Sequence, residues 1–130
     1  MLTEFLAVGI GEFVGSCFRY AISRGMSGLP AISEFPYATL VSNVIAGFLI
    51  GLITVLSEDS DVITARQKLM LTTGMLGGLS TFSTFSMETI RMIQHGHEIN
   101  ALGNIILNIS LSLFGVILGM ALGRYIAKGI

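Results

Sequence analysis

The chain has 130 residues, of which 52% are hydrophobic and 12% are charged, whereas about 25% are charged in an ordinary soluble domain. Fifteen charged side chains are too few to cover a soluble fold of this size, which excludes an ordinary soluble enzyme. A net charge of −1 also excludes a protein that attracts nucleic acid through a basic surface. The single cysteine, Cys17, excludes an intramolecular disulfide and a multi-thiolate metal site. The composition predicts a membrane protein.

The positions of the charged residues predict four transmembrane helices. No charge falls in residues 35–57, 69–87 or 99–123, and each stretch is long enough for the roughly 20-residue helix that crosses a bilayer core. The N-terminal stretch, apolar except for Glu12, is interpreted as a further span. We therefore expect an all-α membrane protein with one domain over residues 1–130. Its expected spans are about residues 3–23, 36–57, 67–93 and 99–125.

Basic residues are nearly balanced between the two sides of this topology. Four crossings place both termini on one side, with four basic residues against three on the other. The two groups are Arg66, Lys68, Arg124 and Lys128, against Arg19, Arg24 and Arg91. The positive-inside rule therefore gives almost no preferred orientation. On charge alone, insertion in one fixed orientation and insertion in both orientations stay open.

The third span contains an unusual run of small and hydroxylated residues. Gly74, Gly77 and Gly78 precede five Ser and Thr residues within residues 80–86. This pattern predicts a break near Gly77–Ser80 at membrane depth, where unwound backbone must be buried in protein or line a polar cavity. Freed carbonyls there suit a hard cation, while the N-terminus of the next half-helix favours an anion. A continuous helix with glycines for packing is the alternative.

Polar side chains in two other spans point to the same region. Asn43 lies within the second span, and Asn104, Asn108 and Ser112 recur every four residues in the fourth, on one face of a helix. Such residues either form hydrogen bonds between helices or line a polar route through the bundle. Amides and hydroxyls can donate hydrogen bonds, which favours an anion in such a route.

Phe82 and Phe85 lie three residues apart in the third span, so both can face one path. Aromatic ring edges carry partial positive charge and therefore suit an anion. Packing of the two rings in a core is the alternative. A cation pathway would more often show rings of Asp or Glu.

The third span, GMLGGLSTFSTFS, resembles the third-span signature of the Fluc (CrcB-type) family of bacterial fluoride channels. Gly15 with Arg19-Tyr20 in the first span, and Asn43 with Gly47 in the second, match the same family. The resemblance implies a channel rather than an enzyme, which exports fluoride passively and protects the cell from its toxicity. It also implies a dual-topology homodimer of antiparallel subunits in the bacterial inner membrane.

The same resemblance assigns roles to individual residues. It implies a structural Na⁺ at the dimer centre, held by backbone carbonyls of Gly77 and Ser80. The residues that it places on or near the fluoride pathway are Arg19, Asn43, Phe82, Ser83, Thr84, Phe85, Glu88, Asn108 and Ser112.

Glu12 departs from the family pattern, which has a small residue at this position. A carboxylate inside a span is costly unless it is paired or in water. A glutamate in the first span is also the central feature of small proton-coupled multidrug transporters, which gives one alternative function. A membrane subunit without transport activity is another.

Overall fold

The computed structural model describes residues 1–28 and 35–130, and all regular structure in these ranges is helical. Two long helices come first, α1 over Leu2–Met26 and α2 over Tyr37–Asp59. The predicted connection over residues 24–34 lies partly outside the described residues, and so does Glu34, which bounds the predicted second span.

The rest of the chain forms three further helices. Helix α3 covers residues 65–79, with α-helical ends at Ala65–Leu69 and Gly77–Leu79 and a π-helical centre at Met70–Leu76. Helix α4 covers Phe82–Gln94 and α5 covers Glu98–Gly129. Gly96, between α4 and α5, has φ +80, a backbone conformation that favours glycine.

Helices α1, α2 and α5 are each long and apolar enough to cross a bilayer. Helices α3 and α4 together occupy the third predicted span, but each alone is shorter. The observed helices extend past several predicted ends, most of all α5, which continues to Gly129. Many large apolar side chains face outward, as they do where a protein contacts lipid. The chain is therefore a multi-pass membrane protein.

Helices α2 and α5 pack closely through glycines, as the four-residue spacing predicts. A Cβ atom on Gly51 would overlap the carbonyl oxygen of Val116, and one on Gly119 would overlap that of Phe48. A Cβ on Gly47 would lie 2.7 Å from the carbonyl oxygen of Ser112. Close backbone approach brings the polar faces of α2 and α5 within hydrogen-bond distance.

Helices α1 and α3 approach each other in the same way. A Cβ on Gly74 would lie 2.7 Å from the Val8 carbonyl oxygen, and one on Gly78 would lie 2.5 Å from the Glu12 carbonyl oxygen. These glycines therefore allow α3 to cross α1. They do not unwind it, because Gly77 and Gly78 have helical backbone.

The interruption of the third span is present, but it begins after the glycines. Ser80 has φ −80 and ψ 156, and Thr81 has φ −153 and ψ 115, so both are extended. The prediction of a break near Gly77–Ser80 is right at Ser80 and wrong at Gly77. The break lies at Ser80–Thr81 because Thr81 caps the following helix: its hydroxyl accepts a hydrogen bond from the N–H of Thr84.

Adding a methyl group at the α2–α5 crossing tests this packing. We expect Gly119→Ala to lower the free energy of unfolding by about 1–3 kcal/mol, since the new Cβ would overlap the Phe48 carbonyl. Gly129→Ala, on the same helix and with none of the described residues within 4 Å of the added atom, is the matched control and should not destabilise the protein. Reversible unfolding in mixed detergent measures both. Equal stability of the two variants would contradict the close crossing.

Candidate functional site

A hydrogen bond between α2 and the break in the third span is the centre of the site. The side-chain oxygen Oδ1 of Asn43 accepts from the backbone N–H of Thr81 at 2.8 Å. In a continuous α-helix that N–H would donate to the carbonyl of Gly77. Asn43 therefore takes the place of a helical partner and stabilises the extended backbone.

Two backbone carbonyls beside the break lose their helical hydrogen-bond donors, and a third accepts from a side chain. The N–H of Thr84, which a continuous helix would direct to the Ser80 carbonyl, donates to the Thr81 hydroxyl at 3.2 Å. Together with the diversion of the Thr81 N–H, this leaves the carbonyls of Gly77 and Ser80 without their helical donors. The carbonyl of Gly78 instead accepts from Nε of Arg19 at 2.9 Å. Uncommitted carbonyl oxygens are suitable ligands for a hard cation.

A chain of side-chain hydrogen bonds joins α2, α4 and α5. Asn43 donates to Oδ1 of Asn108 at 2.9 Å, Asn108 to Oδ1 of Asn104 at 2.8 Å, and Asn104 to the Thr89 hydroxyl at 2.9 Å. The Thr89 hydroxyl donates onward to the Phe85 carbonyl at 2.7 Å, so it can only accept from Asn104. This fixes the direction of the whole chain and presents the Asn43 oxygen to the break.

A cavity of about 400 Å³ lies along this chain. Phe82 and Phe85 both line it, with ring centroids 5.6 Å apart. Phe85 is 9% exposed and Phe82 is 79% exposed, so one ring is in the core and the other faces outward. The Ser112 hydroxyl also borders the cavity and, among the described residues, is buried without a hydrogen-bond partner. The cavity lining therefore combines two aromatic rings with an unused hydroxyl.

A second cavity, of about 300 Å³, borders the break at Thr81. Arg19, Ser23 and Glu88 line it. The Thr39 hydroxyl donates to Oε1 of Glu88 at 2.8 Å, while Oε2 is buried with no partner in the described part of the chain. This cavity contains charged side chains of both signs, in contrast to the first.

Among the described residues, the two cavities share one lining residue, Thr81. The extended backbone that Asn43 stabilises therefore borders both cavities. A small ion passing from one cavity to the other would meet the interrupted backbone at this point.

The structure distributes the predicted site residues between the two cavities, with one exception. Ser83 lines neither cavity and is exposed. The larger cavity contains seven of them, namely Asn43, Gly77, Ser80, Phe82, Phe85, Asn108 and Ser112, and the smaller contains Arg19, Thr84 and Glu88.

Sequence reasoning missed Thr39 and Thr81. Thr39 lies four residues before Asn43, on the same helix face, and this spacing is a signal that identifies it. Thr81 was indistinguishable from its hydroxylated neighbours, because only the tertiary structure shows that its backbone N–H meets Asn43.

Residues 6–120 match the model of a family described as CrcB-like protein, Camphor Resistance (CrcB). The chain belongs to the CrcB family. Curated CrcB-family relatives align along nearly its whole length. A protein of Clostridium novyi named "Fluoride-specific ion channel FluC" is 45% identical over 121 residues, which are 93% of this chain and 94% of the relative. One of the same name from Ruminiclostridium cellulolyticum is 46% identical over 127 residues, 98% of this chain and 97% of the relative.

A double-mutant cycle tests the hydrogen bonds between the asparagine side chains of this CrcB-family protein. We expect Asn43→Ala and Asn108→Ala to show a coupling energy of about 1 kcal/mol in unfolding experiments, because each removes one partner of the same hydrogen bond. The control is a cycle that pairs Asn43→Ala with Asn100→Ala. Asn100 lies in the first turn of α5 and takes no part in the amide hydrogen bonds, so the effects of the two substitutions should be additive. Additivity of both cycles would contradict the Asn43–Asn108 bond.

Proposed function

We propose that this protein is a fluoride channel, which lets fluoride cross the membrane passively and catalyses no reaction. The observation that supports the proposal is that two cavities, each bordered by side chains with hydrogen-bond donors, both reach Thr81 beside the interrupted helix. The names of the CrcB-family relatives support fluoride as the ion.

Fluoride is small and strongly hydrated, so its path must replace water with hydrogen-bond donors. Ser112 offers a hydroxyl that no other described group uses. Nδ2 of Asn43 also donates to the Thr81 carbonyl oxygen at 3.4 Å, which is longer than an ordinary hydrogen bond, so this N–H is available to donate to an ion instead. Phe82 and Phe85 complete the lining of the larger cavity, and the edge of an aromatic ring carries the partial positive charge that attracts an anion.

The smaller cavity serves as an entrance. Arg19 uses Nε on the Gly78 carbonyl, which leaves the terminal groups of its guanidinium to attract an anion. Thr39 and Thr84 add hydroxyls to the same cavity. The bond between Thr39 and Glu88 holds the carboxylate to one wall and reduces its repulsion of the ion.

A second copy of the chain completes the pathway in an antiparallel, dual-topology homodimer. Phe82 and Gly77 line the larger cavity and are exposed in the single chain, so a partner is needed to exclude lipid from the ion. The balance of basic residues supports insertion in both orientations. In the bacterial inner membrane, such a dimer exports fluoride and confers fluoride resistance.

A structural Na⁺ between the two subunits fits the backbone at the break. The carbonyls of Gly77 and Ser80 are freed from their helical donors by Asn43 and by the Thr81 hydroxyl. These carbonyls from both copies would hold the ion, which would supply positive charge to replace the missing donors. The freed oxygens are neutral, which suits a monovalent ion.

The transporter alternative, which gives Glu12 the central role, loses its basis with CrcB-family membership. In addition, Glu12 lines neither of the two cavities that meet at Thr81. The alternative of a subunit without transport activity leaves the unused Ser112 hydroxyl without a purpose.

Liposomes loaded with fluoride test the channel. Purified protein should release fluoride down its gradient without an imposed proton gradient, because none of the described residues that line the larger cavity has a titratable side chain that could couple transport to protons. Chloride-loaded liposomes are the control and should retain their ion. Release that depends strictly on a pH difference would contradict a channel, and equal release of chloride would contradict a lining adapted to fluoride.

Replacement of the two phenylalanines tests their role in the pathway. We expect Phe82→Ile or Phe85→Ile to slow fluoride efflux about tenfold or more, equivalent to about 1.4 kcal/mol of added barrier, because Ile lacks a positive ring edge. Phe13→Ile replaces an exposed ring that lines neither cavity and is the matched control. Size-exclusion chromatography verifies that each variant still assembles. Normal flux in both pathway variants would reject the assignment of these rings.

A further inference from the structure

Thr89 on α4 and Asn104 on α5 are buried polar side chains that line neither of the two cavities. Asn104 donates to the Thr89 hydroxyl at 2.9 Å, and this hydroxyl donates to the Phe85 carbonyl at 2.7 Å. Apolar side chains of similar shape can replace a buried hydrogen-bonded pair at little cost in stability. Packing alone therefore does not explain why these two side chains are polar.

The pair is one end of a series of hydrogen bonds that reaches the larger cavity. Oδ1 of Asn104 accepts from Asn108 at 2.8 Å, and Oδ1 of Asn108 accepts from Asn43 at 2.9 Å. Each of these three amides donates an N–H in one direction and accepts on its oxygen from the other. Turning one amide around therefore places two donors or two acceptors face to face. The orientation of Asn43, which lines the larger cavity, is in this way tied to Thr89.

We infer that Thr89 is a positioning residue for ion conduction, which keeps an N–H of Asn43 directed at the ion by fixing the orientation of the amides between them. The inference rests on the proposed fluoride channel, in which that N–H replaces water around the ion. Thr89 does not contact the ion itself, because it borders neither cavity. Its effect passes through the three asparagine side chains in turn.

Removal of the Thr89 hydroxyl would favour the reversed arrangement of the amides. The Asn104 N–H that donates to this hydroxyl would lose its acceptor, which is costly for a buried group, unless the amide turned toward Asn108. Asn108 and Asn43 would then have to turn as well, because two N–H groups would otherwise face each other. The oxygen of Asn43 would take the place of its nitrogen beside the Thr81 carbonyl, where it would repel an anion. The Thr81 N–H would also lose its acceptor at the break.

Single-channel fluoride currents in planar bilayers test the inference, because only folded channels carry them and a lower yield of protein does not change their size. Thr89→Val keeps the shape of the side chain without the hydroxyl, and it should lower the current about tenfold, the effect of one lost hydrogen bond to the ion. Thr89→Ser keeps the hydroxyl and should restore most of the current. Met92→Ala is the matched control, because it removes a buried side chain from the same helix, lines neither cavity and should leave the current unchanged.

A combination of two substitutions tests whether Thr89 acts through Asn43. In Asn43→Ala channels the amide that Thr89 positions is absent, so the further change Thr89→Val should lower the current no more. A further fall of about tenfold in the double variant would show that Thr89 acts independently of Asn43, and this would overturn the inference.

Failure of the inference and failure of the proposed function give different results. A wild-type current in Thr89→Val, or a loss in Thr89→Ser equal to that in Thr89→Val, would overturn the role of the hydroxyl. An equal fall in Met92→Ala would assign the effect to helix packing and would overturn it as well. In each of these cases the wild-type protein still conducts fluoride, so the channel stands. Absence of fluoride current in the wild-type protein would overturn the channel and, with it, the inference.

Discussion

The hydrogen bond from the Thr81 backbone N–H to Oδ1 of Asn43 supports most of the other features of this structure. A helix interrupted inside an apolar bundle exposes backbone groups that lipid cannot satisfy. Here a side chain from α2 accepts the donor that Gly77 loses, and the Thr81 hydroxyl accepts the N–H of Thr84. The N–H groups of Thr81 and Thr84 are thus satisfied, while neighbouring carbonyl oxygens lose their helical donors. That imbalance leaves neutral oxygen atoms available at the break.

The orientation of Asn43 depends in turn on residues far from the break. The Thr89 hydroxyl can only accept from Asn104, which fixes the orientation of the Asn104 amide. The hydrogen bonds from Asn108 to Asn104 and from Asn43 to Asn108 then fix the orientations of the other two amides. Buried networks of this kind are stable only when every member is satisfied. Close glycine contacts between α2 and α5 keep the asparagine side chains of the two helices within hydrogen-bond distance. The polar lining of the cavity therefore depends on the close packing of α2 against α5.

The spans and the existence of a break followed from simple physical rules applied to the sequence. Gaps between charges located α2, α5 and the third span, because burying a charge in lipid is costly, and the apolar N-terminal stretch located α1 in spite of Glu12. The glycine and hydroxyl run predicted the break, but it included Gly77, which is helical. Gly77 and Gly78 looked like helix breakers, whereas they stay helical so that α3 can cross α1. A pattern in one segment does not show which neighbouring helix will use its small residues.

Local composition and spacing were enough to predict the membrane class, the helical periodicity and the residues that are too polar for lipid. They did not determine which of these polar residues meet. Only the tertiary structure paired Thr39 with Glu88, Asn43 with Thr81, and the Glu12 side chain with Gly77. Those contacts join segments that are distant along the chain, and their geometry depends on helix crossings set by packing. The chemistry of the site therefore belongs to the arrangement of the helices rather than to any one motif.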